Sequence, residues 1–301
     1  MYKLPLEGTG VALVTPFKSG AIDYAALEKI IEHVIQGGVN YIVSLGTTGE
    51  AVNISTADCN SIFEFTKKVV GERIPLVAGL FGGNFTMRLK ESMRAYNLEG
   101  FSAIMSSSPA YIKPSQEGIY QHYLAIADAS HLPVIIYNVP GRTSSNILPE
   151  TIIRLANTNE KFIAVKEASG DLLQAMTLIK NCPEHLTILS GDDPTALPFI
   201  AIGGKGVISV IANALPQAFS TMVNTALSGD LNTAMAINSA LHDIHPLLYK
   251  EGNPPGIKAA LNILGLCENE LRIPLTEVST NTYDNLEKEI TAAQNLLKNI
   301  L

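Results

Sequence analysis

Lys166 is the residue whose position is hardest to explain by folding alone. It lies in residues 162–168, a run that otherwise has the pattern of a buried β-strand. Burial lowers the pKa of an ammonium group and frees the amine as a nucleophile for carbonyl substrates. The alternative is a structural lysine that pairs with Glu167 or extends to solvent at the strand end, and the lysine alone does not decide between the two.

Other polar residues lie where strand-like runs end. Tyr137 lies near the end of the run before that of Lys166, and because adjacent strands lie ~5 Å apart the two side chains could meet. A phenol beside a Schiff-base nitrogen can transfer the protons that imine formation requires. Thr47 and Thr48 follow an earlier run, and Arg142 lies in a loop after Tyr137; hydroxyls and a guanidinium suit carboxylate ligands. Taken singly, each has an ordinary alternative: a packing tyrosine, a turn or a surface charge.

The elements that must position these residues alternate along the chain. Short runs rich in valine, isoleucine and alanine predict eight strands, at residues 10–16, 41–45, 76–80, 103–107, 134–138, 163–167, 187–190 and 207–211. Amphipathic stretches between them predict helices, among them residues 24–36, 57–70, 116–128 and 214–227, with Ser55 and Ser115 as N-caps.

This alternation predicts an α/β fold, a (β/α)8 TIM barrel over residues 1–229. Residues 230–301 contain only helical stretches, at 231–248, 256–264 and 283–301, and predict a small C-terminal helical domain. A doubly wound open sheet is the alternative, but no glycine-rich nucleotide fingerprint follows the first strand. In a barrel, the active site lies at the carboxyl ends of the strands, where the polar residues above are found.

Composition narrows the possible functions. The 301 residues are 47% hydrophobic with a formal net charge of −7, so no basic surface for nucleic acid is expected. The N-terminus lacks the apolar core of a signal peptide, and no run reaches the ~18 apolar residues of a membrane span, which predicts a cytoplasmic protein without a membrane partner. The three cysteines lack disulfide or zinc spacing. His242 and His245 have helical spacing but no evident third ligand, so no metal site is predicted.

Four motifs together resemble the dihydrodipicolinate synthase / N-acetylneuraminate lyase family, and the similarity covers the whole chain. They are Gly-Thr-Thr-Gly-Glu at residues 46–50, Tyr-Asn-Val-Pro-Gly-Arg-Thr at 137–143, Lys-Glu-Ala-Ser-Gly at 166–170 and Gly-Lys-Gly-Val-Ile-Ser-Val at 204–210. The Gly-Arg-Thr at 141–143 is similar to the synthase branch, whose members condense pyruvate with L-aspartate 4-semialdehyde on the route to diaminopimelate and lysine.

The resemblance implies a role for each motif residue. Lys166 would form the imine with pyruvate without any cofactor, and Tyr137 would transfer protons, linked through Thr47 to Tyr111 of a neighbouring subunit. The family is typically a homotetramer, a dimer of dimers. The substrate-binding positions would be Thr48 and the backbone at Ile208 for the pyruvate carboxylate, Arg142 for the carboxylate of the semialdehyde, and Gly191 at the end of the seventh strand.

Three departures from the family pattern bear on regulation and the subunit interface. Ala110 replaces a tyrosine, Ile112 replaces a common asparagine, and residues 51–59 lack the histidines of lysine-inhibited members. Two alternatives to the synthase stay open: another pyruvate lyase of the family, acting on sialic acid or a 2-keto-3-deoxy sugar acid, and a catalytically retired barrel used for binding or regulation. Arg142 favours the synthase over the first, and the intact Lys166 and Tyr137 argue against the second.

Overall fold

Eight parallel strands close into a barrel in a computed structural model, which describes residues 6–80, 86–298 and 300–301. Around the barrel the strands follow the order β1-β4-β5-β6-β7-β8-β9-β10, and β2 and β3 form a separate two-stranded sheet. The strands are β1 Gly8–Ala12, β2 Phe17–Lys18, β3 Ala21–Ile22, β4 Tyr41–Ser44, β5 Leu76–Gly79, β6 Ala103–Ser107, β7 Val134–Asn138, β8 Phe162–Glu167, β9 Thr187–Ser190 and β10 Gly206–Ser209.

Helices connect successive barrel strands and cover the outside of the barrel, which confirms the predicted (β/α)8 fold. They are α1 Tyr24–Gln36, α2 Thr56–Val70, α3 Thr86–Ala95, α4 Gln116–Ala129, α5 Pro140–Thr143, α6 Pro149–Thr158, α7 Leu172–Asn181, α8 Ala196–Ala201, α9 Pro216–Leu227, α10 Leu231–Leu241, α11 Ile244–Lys250, α12 Pro255–Ile263 and α13 Thr280–Leu297.

The predicted N-caps are present. Ser55 begins α2 and accepts a hydrogen bond from the Asp58 N–H at 3.1 Å. Ser115 begins α4 and accepts one from the Gly118 N–H at 3.2 Å. Each cap satisfies a backbone donor that the first turn of a helix leaves unpaired.

Several predicted elements differ from the structure, and the last helix covers Thr280–Leu297 instead of residues 283–301. The first strand covers Gly8–Ala12 instead of residues 10–16, because the chain leaves the sheet before its next apolar residues. The last barrel strand ends at Ser209, since Ile211–Asn213 forms a 3-10 turn. Residues 231–248 form two helices, α10 and α11, rather than one.

The helices after residue 230 pack directly on the barrel. Helix α10 contacts α8 and α9, and α13 contacts α10, α11 and α12. The division of the chain at residues 229 and 230 stays a prediction. The segment from Asn253 into α12 matters for the site, because Asn253 and Lys258 contact Thr48 and Glu50 beyond the carboxyl end of β4.

Candidate active site

Lys166 and Tyr137 lie opposite each other on adjacent strands, β8 and β7. Both side chains are 5% exposed, and the Lys166 Nζ atom lies 4.5 Å from the centroid of the Tyr137 ring. They therefore meet inside the barrel near the ends of the strands, as the sequence predicted.

The environment of Lys166 favours a neutral amine. Burial lowers the pKa of Lys166 to about 8; the negative charge of Asp193 opposes this shift, and the positive charge of Arg142 adds to it. A lysine in ordinary solution is almost fully protonated at neutral pH, whereas one with a pKa near 8 has a substantial neutral fraction. The group can thus act as a nucleophile toward a carbonyl carbon.

The alternative in which Lys166 pairs with Glu167 does not match the structure. Successive side chains of a strand point to opposite faces, and Glu167 faces the helices outside the barrel. Its carboxylate accepts hydrogen bonds from the Asn138 amide at 2.9 Å, the Gln174 amide at 2.8 Å and the Ser169 N–H at 2.7 Å. Glu167 therefore holds β7, β8 and α7 together.

The environment of Tyr137 favours the protonated form of its phenol. Burial raises the pKa of the Tyr137 phenol, while Arg142 and a hydrogen bond with the Thr47 hydroxyl lower it. The Tyr137 hydroxyl is therefore bonded to a threonine hydroxyl, and the ring of the same residue lies against the Lys166 amine.

A cavity of about 320 Å³ opens at this end of the barrel. It brings together six of the eight predicted site residues, Thr47, Thr48, Tyr137, Arg142, Lys166 and Gly191. A second cavity of about 220 Å³ adjoins it, shares Thr47, Tyr137 and Arg142, and reaches Ala110. A larger cavity of about 760 Å³ lies between α1, α9 and α13 and contains none of the predicted residues, so its size does not indicate the site of chemistry.

Gly191 leaves space for the lysine side chain. A Cβ atom at this position would lie 2.9 Å from Cε of Lys166 and 2.5 Å from Cβ of Ala168. Any other residue would therefore displace the Lys166 side chain. The backbone of Gly191 forms that wall of the cavity.

The two remaining predicted residues lie elsewhere. Ile208 is fully buried in β10 and does not line the cavity, which Val210 lines from the end of the same strand. Tyr111 is 89% exposed and its φ is +72°, in the left-handed region that a non-glycine residue rarely adopts. It lines neither of the two cavities that Tyr137 lines, and its predicted contact with the site stays a prediction.

Two cavity residues that were not predicted are Tyr249 of α11 and Asn253, which lies between α11 and α12. The Asn253 amide donates to the Thr48 Oγ1 atom at 3.0 Å, and the Asn253 carbonyl accepts from Arg142 at 3.2 Å. The Tyr249 hydroxyl lies 3.4 Å from Asp193, whose carboxylate also accepts from two backbone N–H groups after β10. No sequence pattern indicated that this segment folds back over the barrel.

Two further predictions concern metals and membranes. Among residues 6–80, 86–298 and 300–301, no group of three or more His, Cys, Asp and Glu side chains is arranged to hold a metal ion. In the same part of the chain, no helix has the length and apolar character needed to cross a membrane.

A closed parallel barrel with a buried amine at its mouth defines a candidate lysine-dependent enzyme. The model of the dihydrodipicolinate synthetase family matches residues 5–293, so the chain belongs to that family. A curated relative from Parabacteroides distasonis is named 4-hydroxy-tetrahydrodipicolinate synthase; it is 45% identical over 289 residues, which are 96% of this chain and 97% of the relative.

Solved structures give the same result. The chloride-inhibited dihydrodipicolinate synthase from Acinetobacter baumannii, in complex with pyruvate, is 38% identical with a TM-score of 0.92, over 96% of this chain and 99% of that one. A structure described as the first monomeric dihydrodipicolinate synthase variant is 33% identical with a TM-score of 0.93, over 96% of this chain and 97% of that one. The predictions that the chain is an enzyme, a lyase of the synthase branch, are confirmed.

Proposed function

We propose that this enzyme condenses pyruvate with L-aspartate 4-semialdehyde through an imine on Lys166, in the cytoplasm and without a cofactor. The observation that carries the proposal is the buried amine of Lys166, with its pKa lowered to about 8, in contact with Tyr137 at the barrel mouth. The pyruvate in the similar Acinetobacter structure and the names of the curated relatives support the choice of substrates.

The first step forms the covalent intermediate. The neutral Lys166 amine attacks the keto carbon of pyruvate; the oxygen takes up protons and leaves as water, which produces a protonated imine. Tyr137 supplies and removes these protons, and its hydrogen bond with Thr47 keeps the phenol oriented. The Thr48 hydroxyl accepts its hydrogen bond from Asn253, so its own proton is free to be donated to the pyruvate carboxylate.

The second step forms the carbon–carbon bond. Loss of a proton from the former methyl group of pyruvate yields an enamine, whose carbon attacks the aldehyde carbon of the semialdehyde while the aldehyde oxygen takes up a proton. The amino group of the second substrate then adds to the imine carbon and releases Lys166 as the free amine. Arg142, at the edge of both cavities, binds the carboxylate of the semialdehyde.

A turnover assay with two kinds of aldehyde tests this function. The enzyme is incubated with pyruvate and either L-aspartate 4-semialdehyde or the aldehyde substrates of sialic-acid and sugar-acid lyases. Of these aldehydes, we expect only L-aspartate 4-semialdehyde to be turned over with pyruvate. Efficient turnover of a sugar aldehyde would favour the other branch of the family, and pyruvate trapping without any turnover would favour a retired barrel.

We predict that Arg142→Ala impairs use of the second substrate. Loss of a charge-assisted hydrogen bond costs ~1.5–3 kcal/mol, so KM for the semialdehyde should rise about ten- to a hundredfold, with reduced turnover. Imine formation with pyruvate should stay near normal. Steady-state kinetics and borohydride trapping of pyruvate measure the two effects separately.

Arg154→Ala is a matched control, because Arg154 is also an exposed arginine but pairs with Glu117 away from the cavity. This control should keep the wild-type KM for both substrates. An Arg142→Ala variant that loses pyruvate trapping yet keeps its KM for the semialdehyde would contradict the role of Arg142.

We also propose a homotetramer in which Tyr111 completes the site of a neighbouring subunit. The exposed side chain and left-handed backbone of Tyr111 support this, because a residue held in a strained conformation needs surrounding contacts that one chain does not provide. One similar solved structure is that of a monomeric variant, so the assembly state of this chain is to be measured directly.

Subunit mixing tests the role of Tyr111. Tyr111→Phe and Lys166→Ala subunits should each be inactive alone, but mixed tetramers should regain part of the activity, since some hybrid sites contain both Lys166 and a neighbour's Tyr111. Activity is measured after dissociation and reassembly of the mixture, with each variant reassembled alone as the control. Wild-type activity in a fully dissociated monomer would exclude the shared site.

A further inference from the structure

The loop of residues 46–50, here called the threonine loop, carries the two hydroxyls of the proposed site. It leaves β4 and ends at Glu50, whose φ of +55° lies in the left-handed region. Within the loop, the Gly49 N–H donates to the Gly46 carbonyl at 3.1 Å and the Glu50 N–H donates to the Thr47 carbonyl at 3.0 Å. Because Glu50 is bonded to Thr47, the position of the hydroxyls depends on what holds Glu50.

Glu50 is held by a buried ion pair with Lys258 of α12. The Lys258 Nζ atom lies 2.5 Å from Glu50 Oε1, and both side chains are 0% exposed. The other carboxylate oxygen of Glu50 accepts from the Arg272 N–H at 3.1 Å. Lys258 also donates to the Glu270 carbonyl at 2.8 Å and lies 4.1 Å from the centroid of the Phe17 ring. Both charges are therefore fully partnered.

Burying two charges is a costly way to hold a helix in place. The free energy needed to remove an ammonium and a carboxylate from water offsets most of the attraction between them. Apolar side chains of similar size therefore often stabilise a fold equally well. Such a pair does, however, define one geometry, because each oxygen and each N–H must meet its partner. A buried pair next to substrate-binding hydroxyls is thus better suited to positioning than to stability.

A second contact joins the same two parts of the chain. Asn253, which precedes α12, donates to Thr48 Oγ1 at 3.0 Å. The threonine loop is therefore held at Thr48 by the segment before α12 and at Glu50 by α12 itself. Neither Glu50 nor Lys258 lines the two cavities, so neither is expected to touch a substrate.

We propose that Glu50 and Lys258 are positioning residues, through which the C-terminal helices hold Thr47 and Thr48 in register with the pyruvate carboxylate and the Tyr137 hydroxyl. This inference rests on the proposed function of the two threonines. It gives the C-terminal helices a part in catalysis: they set the geometry of the barrel's active site.

The experiment compares Glu50→Gln, Lys258→Met and the double variant with wild type. For each, one measures Tm, KM for pyruvate, and the rate of borohydride trapping at saturating pyruvate. Each single variant leaves one group buried without its partner, so we expect a lower Tm together with a higher KM. The double variant should recover most of the lost Tm, yet its KM for pyruvate should stay about tenfold above wild type, because the threonine loop has lost a directional contact. Trapping at saturation should persist, since Lys166 is intact.

Two further variants make the result specific. Glu50→Asp keeps the charge but shortens the side chain by one methylene; it should fold and still raise KM for pyruvate, which preserves the test if the other variants fail to fold. The double variant Glu32→Gln/Arg73→Met removes an ion pair at 2.6 Å that connects α1 to the chain after α2, far from the cavity, and should leave KM unchanged.

The outcomes separate this inference from the proposed function. A double variant and a Glu50→Asp variant with wild-type KM for pyruvate would show that the ion pair serves folding alone, and would overturn the inference while wild-type trapping still supports the function. A wild-type enzyme that traps no pyruvate would overturn both. A raised KM in the double variant with a recovered Tm supports the positioning role.

Discussion

Replacement of Lys166 with alanine is expected to abolish borohydride trapping of pyruvate and the condensation reaction, while the fold remains intact. Lys166 is the amine at the cavity that burial makes nucleophilic, and alanine offers no nitrogen to form an imine. The substitution removes a buried side chain and leaves a modest cavity, which costs ~2–5 kcal/mol for large aliphatic residues and less where a desolvated charge is removed too. Intact-protein mass spectrometry after reduction measures the adduct, and circular dichroism checks the fold.

The matched control is Lys161→Ala, which removes a lysine just before the same strand. Lys161 donates to the Ala127 and Ser130 carbonyls outside the cavity, so this variant should still be trapped. In the wild type, the trapping rate should rise with pH through about 8, because only the neutral amine attacks and protons leave Lys166 over that range. An adduct that persists in Lys166→Ala would place the covalent site elsewhere.

Insensitivity to lysine is the second large effect that we expect. In lysine-inhibited members of the family, a serine, histidines, an asparagine, a glutamate and a tyrosine hold the effector at a dimer interface. Aligned by motif, these positions are Ala51, Thr56, Cys59, Asn84, Arg88 and Ala110 in this chain. Only the asparagine matches, and Asn84 lies outside the described residues.

At these positions the chain is expected to repel lysine. The glutamate that would pair with the α-ammonium of lysine is replaced by Arg88, which lies exposed on α3, so attraction becomes repulsion between like charges. Ala110, at the wall of the second cavity, lacks the aromatic ring and hydroxyl of a tyrosine. Loss of one charged pair and several hydrogen bonds costs on the order of 4 kcal/mol, or about a thousandfold in affinity.

A steady-state assay with lysine at saturating pyruvate measures this effect. Half-inhibition below a millimolar concentration would contradict the prediction, and would favour a site in which Glu91, three residues after Arg88 on the same helix, takes the place of the glutamate. As a gain-of-function control, the family residues can be restored together by Ala51→Ser, Thr56→His, Cys59→His, Arg88→Glu and Ala110→Tyr. This variant should become lysine-sensitive while it retains turnover.

The sequence by itself determined the features that have a local signature. A charged residue within an apolar run singled out Lys166, and polar side chains at the ends of such runs singled out Tyr137 and the threonines. Hydrophobic periodicity is also local, so most predicted strands of the barrel agree with the structure to within a residue or two; residues 103–107, 134–138 and 187–190 agree at both ends. The first barrel strand was misplaced, and the predicted end of the last one lies two residues too far along the chain, because the apolar residues of both continue into turns packed in the same core.

Only the tertiary structure decided which side chains face the cavity. Strand β8 is buried on both faces, so its composition could not show that Lys166 points into the barrel and Glu167 points out of it. The contacts of Thr48 with Asn253 and of Glu50 with Lys258 join residues 205 and 208 positions apart. Such contacts depend on how the C-terminal helices pack on the barrel, for example through the contacts of α10 with α8 and α9. No local pattern of residues predicts that packing.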